Sequence, residues 1–414
     1  MQKFISSIIY SICLLLLSLS SMQSYTALLS NTAPFNKAVS SIPKPQNISA
    51  EKLGISSDAA TPSSTHAKAY CLIDADSGQL LLGHNENQKM PMASTTKIMT
   101  SIIALEQGNM NDIVTTSSYA ASMPDVQLNM QKGEKFRLKD LMYSLMLESH
   151  NDTAVAIAEH IGGSVEGFAA LMNDKAAELG CKDTHFVTPN GLDNDKHYTT
   201  ASDLCKIAAY AVQSKKFLQI IQTPSYSFMN TDNTRSYSVH NKDAFLTSYK
   251  GAIGIKTGFT GNAGYCFVGA AKRKGTTLIS SVLACGWPPN KSFKWADTTA
   301  LMNYGFDKFT RYTITPDKTL PEIAVTNGTS STLHIKRSSN EPFTMLLTTS
   351  DKIKITYNLP KSLHSPIRTG DIIGYERYYL NDKLYYEIPL IAGNSVKSAD
   401  NKYFRKILFR LFFI

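Results

Sequence analysis

An ordered set of three short motifs constrains this chain most: Ser94-Thr95-Thr96-Lys97, then Ser149-His150-Asn151, then Lys256-Thr257-Gly258. Each falls in a different structural setting. Ser94 precedes Ile98, Met99, Ile102, Ile103, Ala104 and Leu105, an apolar pattern at helical spacing. That spacing predicts Ser94 at the head of a buried helix, with Lys97 one turn on and on the same face. Ser149 closes a second helical run carrying Leu141, Met142, Leu145 and Met146, and Asp152 is placed to cap the helix that follows. The third motif ends the first of three apolar runs, 251–255, 265–272 and 277–285, which read as successive antiparallel strands. Two other Ser-x-x-Lys matches, at Ser41 and Ser49, lie in a polar stretch without helical period and read as chance.

The residue types define a chemistry. A serine hydroxyl is a weak nucleophile and needs a base beside it. Lys97 serves only when neutral, and both burial and a second cation, Lys256, push a lysine pKa down. Ser149 is suited to relay a proton to a leaving amine. Asn151 offers both a donor and an acceptor to a peptide bond. Lys256 and Thr257 can hold a carboxylate by charge and hydroxyl, and Gly258 lets substrate backbone approach the strand. The backbone N–H groups of Ser94 and Phe259 would form the oxyanion hole. Taken singly, these residues also fit ordinary roles as solvated lysines and helix caps; the ordered trio favours catalysis. His150 has no His-x-x-x-His or carboxylate partner in sequence, so no metal is expected, and nothing implies a cofactor.

The remaining chain bounds the setting. Its 414 residues allow two to three domains, and an apolar share of 43% argues against disorder. A net charge of +9 suits an anionic membrane surface or wall polymer. No basic stripe interleaved with aromatics points to nucleic acid. Lys3 and the apolar run 8–19, followed by Ser20, Ser21, Ser24, Thr26 and Ala27, read as a signal peptide over 1–27, with an uncleaved anchor as the alternative. The Ser-, Thr-, Asn- and Pro-rich stretch 28–66 reads as a linker. A catalytic domain is expected over 67–308: class α/β (α+β), an antiparallel sheet with helices plus a helical lobe. Short runs with turn clusters over 310–395, among them Phe343-Thr344-Met345-Leu346-Leu347, read as a small all-β domain. In 397–414, Lys402, Arg405, Lys406 and Arg410 alternate with aromatic and aliphatic residues, which suits a helix lying in a membrane interface. Of six cysteines, five remain after the signal segment, without Cys-x-x-Cys spacing, so neither a disulfide framework nor a zinc site is indicated. Cys71, Cys266 and Cys285 read as buried thiols.

In these motifs the chain resembles the low-molecular-mass penicillin-binding proteins, the D-alanyl-D-alanine carboxypeptidases of peptidase family S11 in the serine β-lactamase-like superfamily. The resemblance runs from about residue 67 to the end. It includes Pro91-Met92-Ala93-Ser94, Ser149-His150-Asn151-Asp152, Lys256-Thr257-Gly258-Phe259-Thr260, and the intervening Thr184-His185-Phe186, Asn190-Gly191-Leu192 and Tyr198-Thr199-Thr200. It implies a transpeptidase-like catalytic domain, a β-rich C-terminal domain and an amphipathic anchor. It also implies removal of the terminal D-alanine from peptidoglycan stem pentapeptides through a Ser94 acyl-enzyme, and covalent capture by β-lactam antibiotics. The protein would be exported, at the outer face of the cytoplasmic membrane or in the wall. His150 departs from the usual glycine or aspartate and is expected at the rim of the cleft. A serine β-lactamase is the rival enzyme, but no Glu-x-x-Leu-Asn segment follows the second motif. A non-catalytic penicillin-binding sensor is the rival from another class.

Overall fold

The computed structural model describes residues 43–399 apart from 54, 56–58, 63, 125 and 317–319. The expected signal peptide and residues 400–414 of the expected anchor lie outside the described residues. Two compact units emerge from the backbone contacts. One is Ile55–Tyr312 with Thr344–Thr349; the other contains Thr313–Phe343, the described residues before 54 and those after 349.

The larger unit is built on a five-stranded antiparallel sheet in the order Leu80–His84, Ala67–Asp74, Thr276–Cys285, Gly264–Arg273, Ala252–Thr260. Lys274 and Gly275, with φ of 47° and 83°, make the two-residue hairpin that sets the register of the third and fourth strands. Alternate side chains of the central strands enter two cores. Cys71, Ile73, Ile279 and Leu283 pack with Leu204, Ile207 and Ala208 of the helix Ala201–Ala211. Leu72, Leu278 and Val282 pack with Leu301 and Met302 of the helix Phe293–Lys308. With both faces covered, Thr276–Cys285 is buried from Leu278 onward. Each such leucine or isoleucine contributes about 1.5–3 kcal/mol on burial.

The helical part shares the first core. Lys97–Gln107 is buried from Lys97 through Ala104, so this helix runs through the interior rather than along a surface. Asn151–Gly162 and Val165–Glu178 pack beside it. Ser94 itself precedes the α-helix, in a 3-10 turn over Ala93–Thr96. The cause is local: Thr95 and Thr96 hydroxyls donate back to the carbonyls of Met92 and Ala93 at 2.6 and 2.8 Å, which tightens the turn. The third motif also differs from the sequence expectation. It lies inside a strand that continues to Thr260, not at a strand end.

In the smaller unit, Gln46–Ser49, Lys352–Asn358, Ile372–Leu380, Lys383–Ala392 and Ile335–Arg337 form one sheet in that order. Thus the stretch expected to be a linker carries an edge strand, with Gln46 opposite Ile355. Four residues are too few to show a period in sequence, and the strand exists through its ladder with Lys352–Asn358. Arg337 and Glu376 form a buried ion pair, and the Tyr378 hydroxyl donates to Glu376 at 2.7 Å. Residues 344–349, read as part of the β domain, belong instead to the larger unit. Leu346 is buried in the core with Leu72, and the Gln79 side chain donates to its carbonyl at 2.7 Å and accepts from its N–H at 3.1 Å. At the tail, Thr329 N–H donates to Lys397 O and Ala399 N–H to Asn327 O, so 397–399 continue the β structure rather than begin a helix. The five described cysteines are free and buried. Among the described residues no helix is long and apolar enough to cross a membrane.

Candidate active site

The turn that carries Ser94 is held by tertiary contacts. Ala93 takes a left-handed φ of 49°, which a non-glycine residue holds only under tertiary constraint. Part of that constraint is the loop 187–199. The His197 ring nitrogen Nδ1 accepts from Val187 N–H at 2.9 Å, which leaves Nε2–H to donate to Thr96 Oγ1 at 2.8 Å. Burial pushes His197 down to about 4, so the ring is neutral in this role. Gly191, with φ of 85°, lies against the turn; a Cβ there would stand 2.0 Å from the Ala93 carbonyl oxygen.

Lys97 is completely buried. Its Nζ stands 2.9 Å from Ser94 Oγ, 2.8 Å from Asn151 Oδ1 and 2.7 Å from the Asn190 carbonyl oxygen. Burial holds the amine well below the usual lysine range, and the positive charge of Lys256 adds to this; Asp152 opposes it. A neutral amine has two N–H groups and one lone pair. In that neutral form, donation to Asn151 Oδ1 and Asn190 O would use both N–H groups and present the lone pair to the Ser94 hydroxyl.

Ser149 leaves its helix by an unusual route. The helix Leu138–Tyr143 widens into a π-helical turn, Ser144–Glu148, and Ser149 then adopts φ of 72°. Its hydroxyl oxygen is buried and makes no hydrogen bond among the described residues. His150 is not at a rim: it is 3% exposed, with Nδ1 2.8 Å from Ser144 Oγ and Nε2 3.3 Å from Glu148 Oε2. Burial lowers its pKa. Position 150 follows both the π-turn and the left-handed Ser149, a break in the helical period that spacing alone does not reveal. Asn151 Nδ2 donates to Pro124 O at 3.1 Å, which fixes its Oδ1 on Lys97. Asp152 accepts from the N–H groups of Leu128, Met130 and Thr153 at 2.8–3.1 Å, so it orders a loop as well as the helix start.

The edge strand brings the third motif to the same place. Lys256 is 2% exposed, and its Nζ donates to Thr257 O at 3.1 Å. Burial lowers its pKa to about 8, against the pull of Asp243. Thr257 is half-buried. A Cβ on Gly258 would lie 2.9 Å from Ser94 N and 3.0 Å from Thr95 N, so the strand passes directly beside the nucleophile turn. Phe259 is exposed, and its ring packs on Tyr265 with centroids 4.6 Å apart. Lys97 Nζ thus joins Ser94 to Asn151, Gly258 passes beside the Ser94 backbone, and Ser149 stands two residues from Asn151. Sequence reasoning did not assign Asn190, whose backbone oxygen has no residue-type signature, or Asp243, which belongs to no motif. The Asn190-Gly191 pair stands in the sequence as a turn signal and as part of the family resemblance, neither of which assigns the Asn190 carbonyl a role. Among the described residues no three His, Cys, Asp or Glu side chains converge as a metal-ligand set.

Antiparallel sheet, buried helix and a serine–lysine pair between them define the transpeptidase-like class of serine hydrolases. The family profile for D-alanyl-D-alanine carboxypeptidase, peptidase S11, matches residues 56–286, and that for the C-terminal domain of penicillin-binding protein 5 matches 309–398. The chain is 30% identical over 343 residues to D-alanyl-D-alanine carboxypeptidase DacF of Bacillus subtilis (strain 168), covering 80% of this chain and 86% of that protein. It is 37% identical over 229 residues to a D-alanyl-D-alanine carboxypeptidase of Streptomyces sp. (strain K15), covering 51% and 78%. Penicillin-binding protein 5 of Haemophilus influenzae superposes with a TM-score of 0.68 at 28% identity, over 82% of this chain and all of that one. The chain belongs to the D-alanyl-D-alanine carboxypeptidase family, peptidase S11.

Proposed function

We propose that this enzyme removes the terminal D-alanine from peptidoglycan stem pentapeptides through an acyl-enzyme on Ser94. The Lys97 lone pair takes the Ser94 proton as Oγ attacks the penultimate D-alanine carbonyl. The N–H groups of Ser94 and Phe259 stabilise the oxyanion. Ser149 passes a proton to the departing amine as the C–N bond breaks, and water then hydrolyses the ester. Asn151 holds the substrate amide, and Lys256 with Thr257 holds the terminal carboxylate. A penicillin enters by the same attack on its ring amide. The observation that carries this reading is a fully buried lysine amine 2.9 Å from the Ser94 hydroxyl. The signal-like sequence of 1–27 and the basic, aromatic-rich sequence of 397–414 support an exported enzyme at the outer face of the cytoplasmic membrane.

The test is Ser94→Ala. Both D-alanine release from a pentapeptide and covalent labelling by a fluorescent penicillin should vanish. Labelling that survives in this variant assigns the nucleophile elsewhere.

A further inference from the structure

Lys256 poses an electrostatic problem. It is buried, it donates to one neutral carbonyl, and its neighbour Lys97 is a second potential cation. An ammonium in that position is unfavourable without an opposite charge nearby. Asp243 lies on the segment between the strand Ser236–His240 and the helix Phe245–Ser248 and is 9% exposed. Its Oδ1 accepts from Phe245 N–H at 3.0 Å. Its Oδ2 is buried and makes no hydrogen bond among the described residues. That oxygen faces the edge strand: a Cβ on Gly254 would stand 3.5 Å from it. Residues 254 and 256 share a strand face.

We propose that Asp243 is the counter-ion of Lys256, a positioning residue that keeps the carboxylate-binding lysine charged from behind the strand. No hydrogen bond joins the two groups, so the attraction acts through space in a buried setting, where it is weakly screened. The charged groups facing Asp243 are Lys256 and Lys294. Lys294 has other stabilising contacts: its Nζ donates to Lys291 O at 2.8 Å and lies 4.7 Å from the Tyr265 and Trp295 ring centroids. Lys242, next in sequence, pairs with Glu148 at 3.0 Å. The groups facing Lys256 are Asp243 and Lys97. Burial raises Asp243 to about 7 and lowers Lys256 to about 8. Burial thus moves the acidic and alkaline edges of the carboxylate–ammonium form toward each other. Below the acidic edge, the lysine loses its counter-ion; above the alkaline edge, the lysine loses its charge.

This inference rests on Lys256 binding the substrate carboxylate. The experiment measures kcat and KM of the full chain on a peptide ending in D-alanyl-D-alanine across the neutral and alkaline range. In Asp243→Asn the alkaline rise in KM should begin about one pH unit lower, a roughly tenfold weaker binding at a fixed pH on that limb. Asp243→Glu should restore the limb. An Asp243→Asn enzyme that keeps the native limb and KM overturns the proposal. A second measurement does not need that variant to fold. Lys256→Arg carries a guanidinium that does not titrate in this range, so it should remove the alkaline limb; a limb that persists refutes the assignment. If Ser94→Ala abolishes labelling while these limbs do not move, the counter-ion idea fails and the catalytic reading stands.

Discussion

Gly258→Ala offers a geometric test of how closely the edge strand and the nucleophile turn must meet. The added methyl would stand 2.9 Å from Ser94 N and 3.0 Å from Thr95 N, where ordinary contact begins at 3.4 Å. Both atoms are backbone, in a turn pinned by the Thr95 and Thr96 back-bonds and by His197. They cannot swing aside as a flexible side chain would. The strand must retreat by about 0.5 Å, and overpacking of this kind costs about 1–3 kcal/mol. Retreat separates Lys256, Thr257 and the Phe259 N–H from Ser94; since a misplacement of about 1 Å costs about 100-fold, about half of that should lower acylation by about tenfold. Stopped-flow acylation by a fluorescent penicillin gives the rate, and a circular-dichroism melt gives the stability. A variant that acylates within about twofold of the native rate, with an unchanged melt, would refute the close-approach argument.

Acylation should follow a bell-shaped pH profile: it rises as Lys97 loses its proton, well below the usual lysine range, and falls as Lys256 loses its charge near 8. A profile that climbs steadily beyond pH 10 would contradict a depressed Lys97. Arg337→Met leaves the Glu376 carboxylate buried without its cation, so it should destabilise the smaller unit by about 3–5 kcal/mol in chemical denaturation. A loss under about 1 kcal/mol would show that the pair contributes little. Deleting residues after Ser398 should release the protein from membranes in a fractionation assay; retention would rule out the tail as the anchor.

Much of the site was legible because its chemistry depends on side-chain type at short spacing. Ser94 and Lys97 fall one turn apart before a helical apolar run, and the third motif falls at a β-branched run, so helix and strand could be read locally. The errors have physical causes. The 3-10 turn at Ala93–Thr96 and the π-turn at Ser144–Glu148 are short departures from helical period, held by back-bonds and packing. The strand Gln46–Ser49 and the placement of residues 344–349 depend on partners hundreds of residues away, which periodicity does not report.

The residue string by itself determined which groups were available: one serine with a lysine beside it, a hydroxyl–amide pair, and a cation on an apolar strand. Only the tertiary structure decided their protonation and contact. Lys97 is depressed because the fold surrounds it completely and brings Lys256 near. The Asn190 carbonyl and the Gly191 approach come from a loop about a hundred residues downstream. Spacing selects side chains within a helix or strand, but desolvation and charge proximity are properties of three-dimensional surroundings, and they exist only once the chain has folded.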